Sequence, residues 1–178
     1  MPLMKKVPAL LVALLCAVTL RAEDPATFEV AGLTFQRPAE WKWVAVTSPM
    51  RKAHLKVQGA SEQRVADIIF FHFGAGQGGD AQANAQRWLG QFKSAEGVSK
   101  IEPMDVRGTR VTLVSTEGTY NSGMPGGPTT PLENQALLGA IVEGKEGNVF
   151  VKMTGPAELV KATRERFVGF ISTAVPGK

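Results

Sequence analysis

Apolar and polar positions alternate with period two along most of this chain, and the helical period takes over in two places. Phe28 to Phe35 forms two short alternating runs joined at Ala31 and Gly32, a spacing that predicts a tight hairpin. Trp41, Trp43 and Ala45 alternate with Lys42, Val44 and Val46, as the residues of a strand do. Ala53, Leu55 and Val57 alternate with Lys52, His54 and Lys56, which predicts a strand with one buried face and places His54 in solvent. Val65 to Phe73 is apolar at both parities and predicts a central strand.

At Asp80 the period changes. Ala81, Ala85, Trp88 and Phe92 fall on one helical stripe, widened by Leu89, with Asp80 at the N-cap position and Gly97 past the end. Val106 to Tyr120 reads as strand again, with Val111 and Leu113 alternating against Thr112 and Val114. From Tyr120 to Leu132 glycine and proline are too dense for regular structure, so a long loop is predicted, either a binding loop or plain disorder. Gln135–Val142 and Asn148–Thr154 flank Gly144–Gly147 as a second hairpin. Pro156 suits a first helical position, and Leu159, Val160, Thr163, Phe167, Phe170 and Ile171 then share a face that docks on the sheet. Runs of strands broken by two helices predict an α+β fold: a largely antiparallel twisted sheet with one internal and one C-terminal helix packed on it.

The first 22 residues read as a secretory signal. Lys5 and Lys6 precede an uncharged apolar run from Val7 to Leu20, and Ala22 offers a small residue at the cleavage position. That run is short for a membrane span, which needs about 20 apolar residues. The expectation is export to an extracytoplasmic compartment, periplasmic or secreted, with cleavage near Ala22 and residues 23–178 as one domain without a transmembrane span. A domain of about 150 residues buries roughly 68–70% of its unfolded surface, enough to stand on packing alone. Cys16 carries a minor alternative, a lipid anchor, against which Leu15 weighs, since a small residue normally precedes a lipidated cysteine.

Removing the signal changes the charge argument. The whole chain is +4, with 20 basic and 16 acidic residues. Lys5, Lys6 and Arg21 belong to the signal, which has no acid, so residues 23–178 are close to neutral. Their cations are scattered, and no electrostatic case for nucleic acid arises. Without Cys16 that part has no cysteine, which excludes disulfides, thiolate zinc sites and cysteine nucleophiles.

Gly74, Gly76 and Gly79 match the G-x-G-x-x-G pattern between a predicted strand and a predicted helix, the setting in which backbone N–H groups approach a pyrophosphate. The segment after the helix offers no convincing parallel strand, and Asp80 would take the orphan helix N–H groups and repel a phosphate. A strand-to-helix hinge is the better reading. On the helix, Asp80, Asn84 and Arg87 fall on one side, next to the stripe that includes Trp88. With Gln77 from the turn, they form the candidate binding surface: Gln77, Asp80, Asn84, Arg87 and Trp88. The competing reading is a solvated helix face whose asparagine bonds local backbone. His72, between Phe71 and Phe73, reads as a hydrogen-bonded sheet histidine, with no acid or nucleophile near it in sequence. No catalytic, cofactor-binding or metal-ligating residue is assigned.

Phe35, Pro38 and Trp41 before an alternating strand resemble the opening of the PsbP/DcrB-like family of small exported α+β domains. Val149–Met153, Gly155, Pro156 and a last helix with Phe167 and Phe170 are similar to its ending. The resemblance implies a twisted antiparallel sheet covered by helices, and accessory or envelope proteins without a shared active site. It carries over no functional residue. The expected function is a non-enzymatic extracytoplasmic accessory or binding domain for an unknown protein or small-molecule partner. The alternative is a small-molecule or anion-binding protein, or an enzyme, using the turn Gly74–Gly79 and the helix after it.

Overall fold

The computed structural model describes residues 24–123 and 127–176. The predicted signal, with Cys16, lies outside the described residues. The first hairpin joins β1 (Thr27–Val30) to β2 (Leu33–Gln36). Its turn residues Ala31 and Gly32 have φ of 49° and 69°, the two left-handed values that a turn matching the strand twist requires. Then come β3 (Lys42–Trp43), β4 (Arg51–Gln58), β5 (Val65–Phe71), the helix α1 (Ala81–Leu89) and β6 (Phe92–Lys93). They are followed by β7 (Lys100–Val106), β8 (Thr109–Gly123), β9 (Thr129–Gly144), β10 (Gly147–Pro156), α2 (Ala157–Ile171) and β11 (Val175–Pro176).

The main sheet runs β3-β4-β5-β10-β9-β8-β6, with β7 also paired to β8, while β1, β2 and β11 form a small separate sheet. Every pairing between described strands is antiparallel. Two helices against this much strand make the α+β class that the alternation predicts.

One sheet face is fully covered. Ala53, Leu55, Ala66, Ile68, Phe70, Val151 and Met153 are all buried there beneath α2 and the β1–β2 hairpin. Phe170 of α2 centres an aromatic group, its ring 5.1–6.3 Å from those of Trp41, Phe35, Phe70 and Phe28. Each such pair adds about 0.5–1.5 kcal/mol beyond the area it buries. The opposite face carries α1, whose Ala85 and Trp88 pack with Phe92 on Val114, Leu137, Ile141 and Phe150. Gly139 makes that contact possible: a Cβ there would stand 2.4 Å from Cζ3 of Trp88, so the indole occupies the space a side chain would fill.

Five details differ from the sequence expectations. The strand around Trp43 shrinks to Lys42–Trp43, because Trp41 sits in a turn closed by its N–H on the Pro38 carbonyl at 3.0 Å. The first helix ends at Leu89, and Phe92 packs from β6. The segment Lys100–Val106 is a strand despite Pro103: β7 has β8 as its one described partner, and an edge can turn a missing N–H outward. Arg107 and Gly108, both with positive φ, then separate it from β8. The predicted loop Tyr120–Leu132 is mostly hairpin. Tyr120 pairs with Leu132, Asn121 with Pro131, Ser122 with Thr130 and Gly123 with Thr129; residues 124–126 lie outside the described residues. Pairing with β10 reaches only to Gln135, so this end of β9 has β8 as its one described partner, and Pro131 there removes no donor that the described pairing needs. Pro156 finally caps α2 instead of opening it, still paired with Gln135 at the end of β10.

Candidate functional site

Residues 74–80 leave the sheet in a chain of tight turns and launch α1. Asp80 is extended, and its carboxylate accepts the Ala83 N–H at 2.7 Å, as an N-cap does. Asn84 is 3% exposed. Its Nδ2 donates to the carbonyls of Gly78 at 2.7 Å and Asp80 at 2.9 Å, and its Oδ1 accepts from Arg87 Nη2. The structure thus brings Asp80, Asn84 and Arg87 into one network, with Asn84 turned inward to tie the turn to the helix. Trp88 is equally buried, over Gly139 and edge-on to Phe150. Gln77, Asp80 and Arg87 remain exposed. The helix N-terminus is already occupied by a carboxylate, and the turn does not belong to a parallel βαβ unit. Neither condition for a dinucleotide loop is met.

Beside α1 part of the sheet lies open. On β5, Ala66, Ile68 and Phe70 are fully buried on the covered side, whereas Asp67, Ile69 and Phe71 on the α1 side are only half-buried. Cross-strand register sets Lys42, Lys56, Asp67 and Thr154 in one row of this face, and His54, Ile69 and Lys152 in the next. His54 is not in solvent: its Nε2 lies 2.7 Å from Asp67 Oδ1 and its side chain is 12% exposed. Phe73 extends the strip at the mouth of the turn, 40% exposed and 5.7 Å from the Phe150 ring. His72 makes the expected sheet bond, its Nδ1 donating to the Asn148 carbonyl at 3.2 Å.

Lys152 sits where the open strip meets α1. Its ammonium donates to Gln91 Oε1 and lies 5.2 Å from the centre of the Tyr120 ring. Burial, aided by the positive charge of Arg87, lowers its pKa from 10.5 to about 8. Burial raises that of the Tyr120 phenol, which keeps it neutral. A separate cleft of about 280 Å³ between α2 and the β7–β9 edge holds Lys161 and Arg164. Both are neutralised, Arg164 by Glu102 at 2.8 Å and Lys161 by Glu117 at 3.1 Å.

Among solved structures the chain is similar to cyanobacterial PsbP (CyanoP) from Synechocystis sp. PCC 6803. The TM-score is 0.52 at 12% identity, over 89% of this chain and 97% of that one. The fold is PsbP-like. A Pseudomonas aeruginosa protein of unknown function aligns over 85% of this chain and 96% of its own at 11% identity, with a TM-score of 0.49. No family model and no curated protein matches the chain.

On this PsbP-like frame, sequence reasoning located the turn and the helix but missed Lys152, Gln91, Tyr120 and Phe73. One signal for Lys152 was present, since it is the single charge in the apolar run Val149–Met153. Its neighbours come from three other elements, and no local pattern joins them. No helix among the described residues is long and apolar enough to cross a membrane.

Proposed function

We propose that the chain is an exported, non-enzymatic accessory domain, with residues 23–178 acting as one unit that binds a partner protein through the glycine turn and the outer edge of α1. Export rests on the sequence of residues 1–22. The observation that carries the binding reading is the uneven cover of the sheet. Next to α1, the interior strand β5 presents half-buried Ile69 and Phe71, the exposed Phe73 follows it at the mouth of the turn, and Gln77, Asp80 and Arg87 rim them. A patch of apolar side chains with a polar rim is what a protein partner covers. Asn84 and Trp88 serve it from behind, by fixing the turn and the helix.

Photo-cross-linking tests this reading. A benzophenone side chain placed at Gln77 is expected to trap one discrete partner in the intact envelope, and the same group at Glu165, on the exposed side of α2, is expected not to trap it. Absence of an adduct from position 77, or the same adduct from both positions, refutes the surface assignment.

A further inference from the structure

Two cations stand near each other at the border of α1 and the open strip, for Lys152 bonds Gln91, which follows Arg87 by four residues. Lys152 rises from β10, and Arg87 stands in the last turn of α1, close enough for its charge to act on the lysine. Each is bonded to a neutral amide oxygen, Lys152 to Gln91 Oε1 and Arg87 to Asn84 Oδ1. Neither forms an ion pair among the described residues. Of the other charged and titratable groups here, Asp80 at the N-cap of α1 turns its carboxylate to the Ala83 N–H and forms no ion pair with Arg87 among the described residues. Asp67 of β5 is bonded to His54 of β4, Lys56 adds positive charge, and Tyr120 of β8 contributes a ring and a neutral phenol. Arg164, Arg166 and Lys161 are paired with Glu102, Glu40 and Glu117, while cations such as Lys52, Lys93 and Lys100 are exposed and form no ion pair among the described residues. Lys152 differs from these in being half-buried, where an unneutralised charge is less favourable than at the surface.

We propose that Lys152 and Arg87 form a receptor for the carboxylate of a small organic acid, with Ile69 and the Tyr120 ring as walls for its apolar part. Arg87 presents a planar fork that matches a carboxylate in two parallel hydrogen bonds, and Lys152 adds a point charge with further donors. Ile69 is the direct cross-strand partner of Lys152 and is half-buried, and the Tyr120 ring lies under the ammonium, so a small apolar group has two surfaces to touch. A carboxylate at this point ends the repulsion between the two cations and draws the lysine back to its charged form. Binding is therefore linked to a proton, and affinity falls once pH rises past the titration of Lys152. The inference goes beyond partner binding and does not need it: cross-linking from Gln77 and carboxylate binding at Lys152 can succeed or fail separately.

The test uses the full chain, nitrogen-15 labelled and titrated with phenylacetate, with phenylacetamide and inorganic phosphate as companion probes. Saturable shifts are expected at the amides of Arg87, Gln91, Lys152 and Ile69 with phenylacetate, none with the amide, and weaker ones with phosphate. Affinity is expected to drop by about tenfold between pH 7 and pH 9.5 as the lysine loses its proton. Lys152→Met and Arg87→Met are each expected to weaken binding by about tenfold, the worth of one charge-assisted contact. Lys152→Arg, whose charge does not titrate, is expected to bind at both pH values and shows that a loss in the Met variant is not misfolding. No saturable shift, equal binding of the amide, phosphate binding as tight as phenylacetate, or unchanged affinity in both Met variants overturns the proposal.

Discussion

Replacing Lys152 by Met is expected to stabilise the fold at neutral pH and to lose that advantage in alkali. The lysine titrates near 8 in the folded chain, against 10.5 when unfolded and free of Arg87. Below pH 8 both states are protonated, and folding carries the full penalty of a poorly solvated ammonium. Between 8 and 10.5 the folded state has released its proton while the unfolded state still holds it, so the penalty fades as pH rises. At about 1.36 kcal/mol per pH unit, the fall from 10.5 to about 8 corresponds to a penalty of roughly 3 kcal/mol. Methionine keeps the length of the stem beside Tyr120 and leaves Gln91 Oε1 without its donor, which removes about 1 kcal/mol of the gain. The net expectation is a stabilisation of about 2 kcal/mol at pH 6.5 that falls through zero before pH 10.5 and ends as a destabilisation of up to about 1 kcal/mol, when only the lost Gln91 bond remains. Urea unfolding of both proteins across that range reads the difference directly, because groups titrating identically in the two cancel. The slope against denaturant is expected to stay the same, since the folded state is unchanged. A Met variant that is less stable at pH 6.5, or a difference that does not vary with pH, refutes the reasoning.

Two further substitutions probe how α1 is held. Gly139→Ala puts a methyl group 2.4 Å from the Trp88 ring, so the indole and its helix must move; a loss of about 1–3 kcal/mol in urea unfolding is expected, and a change below about 0.5 kcal/mol counts against the close approach. Asn84→Ala removes both donors that hold the turn and is expected to lower stability by about 1–3 kcal/mol, with faster amide exchange through residues 74–80, whereas an unchanged exchange pattern would mean the turn stands without it.

The alternation along the chain made most of the fold legible. Ala53, Leu55 and Val57, or Phe167, Phe170 and Ile171, face inward because period two and the helical period leave them no other choice once a core exists. What escaped depended on sheet order. Pro103 and Pro131 look like breakers in isolation, and they are tolerated because each lies where a strand lacks a second neighbour among the described residues, a fact set by topology. His54 reads as exposed from its lysine neighbours, yet antiparallel register brings Asp67 from the next strand to within 2.7 Å of its ring. At the candidate site the helix and its cap were readable because capping is local. The lysine's environment was not, since it joins β10, the end of α1 and β8 across 32 or more residues of chain.

The two faces of the sheet explain how such an environment persists. A domain of this kind is stable by about 5–15 kcal/mol, so a penalty of roughly 3 kcal/mol on one lysine is a large fraction of the total. The covered face can absorb it: Phe170 alone contacts four other rings there, and truncating a buried phenylalanine typically costs about 3–5 kcal/mol. The α1 face has less to give. Its cluster is smaller, Ala85, Trp88 and Phe92 on Val114, Leu137, Ile141 and Phe150, and the strip beyond it is open. A side chain that only filled space at position 152 would do better as methionine, which fits the same stem and needs no counter-charge. Lysine there is accounted for by something its charge meets, and a carboxylate brought in from outside fits both the Arg87 fork and the apolar walls beside it.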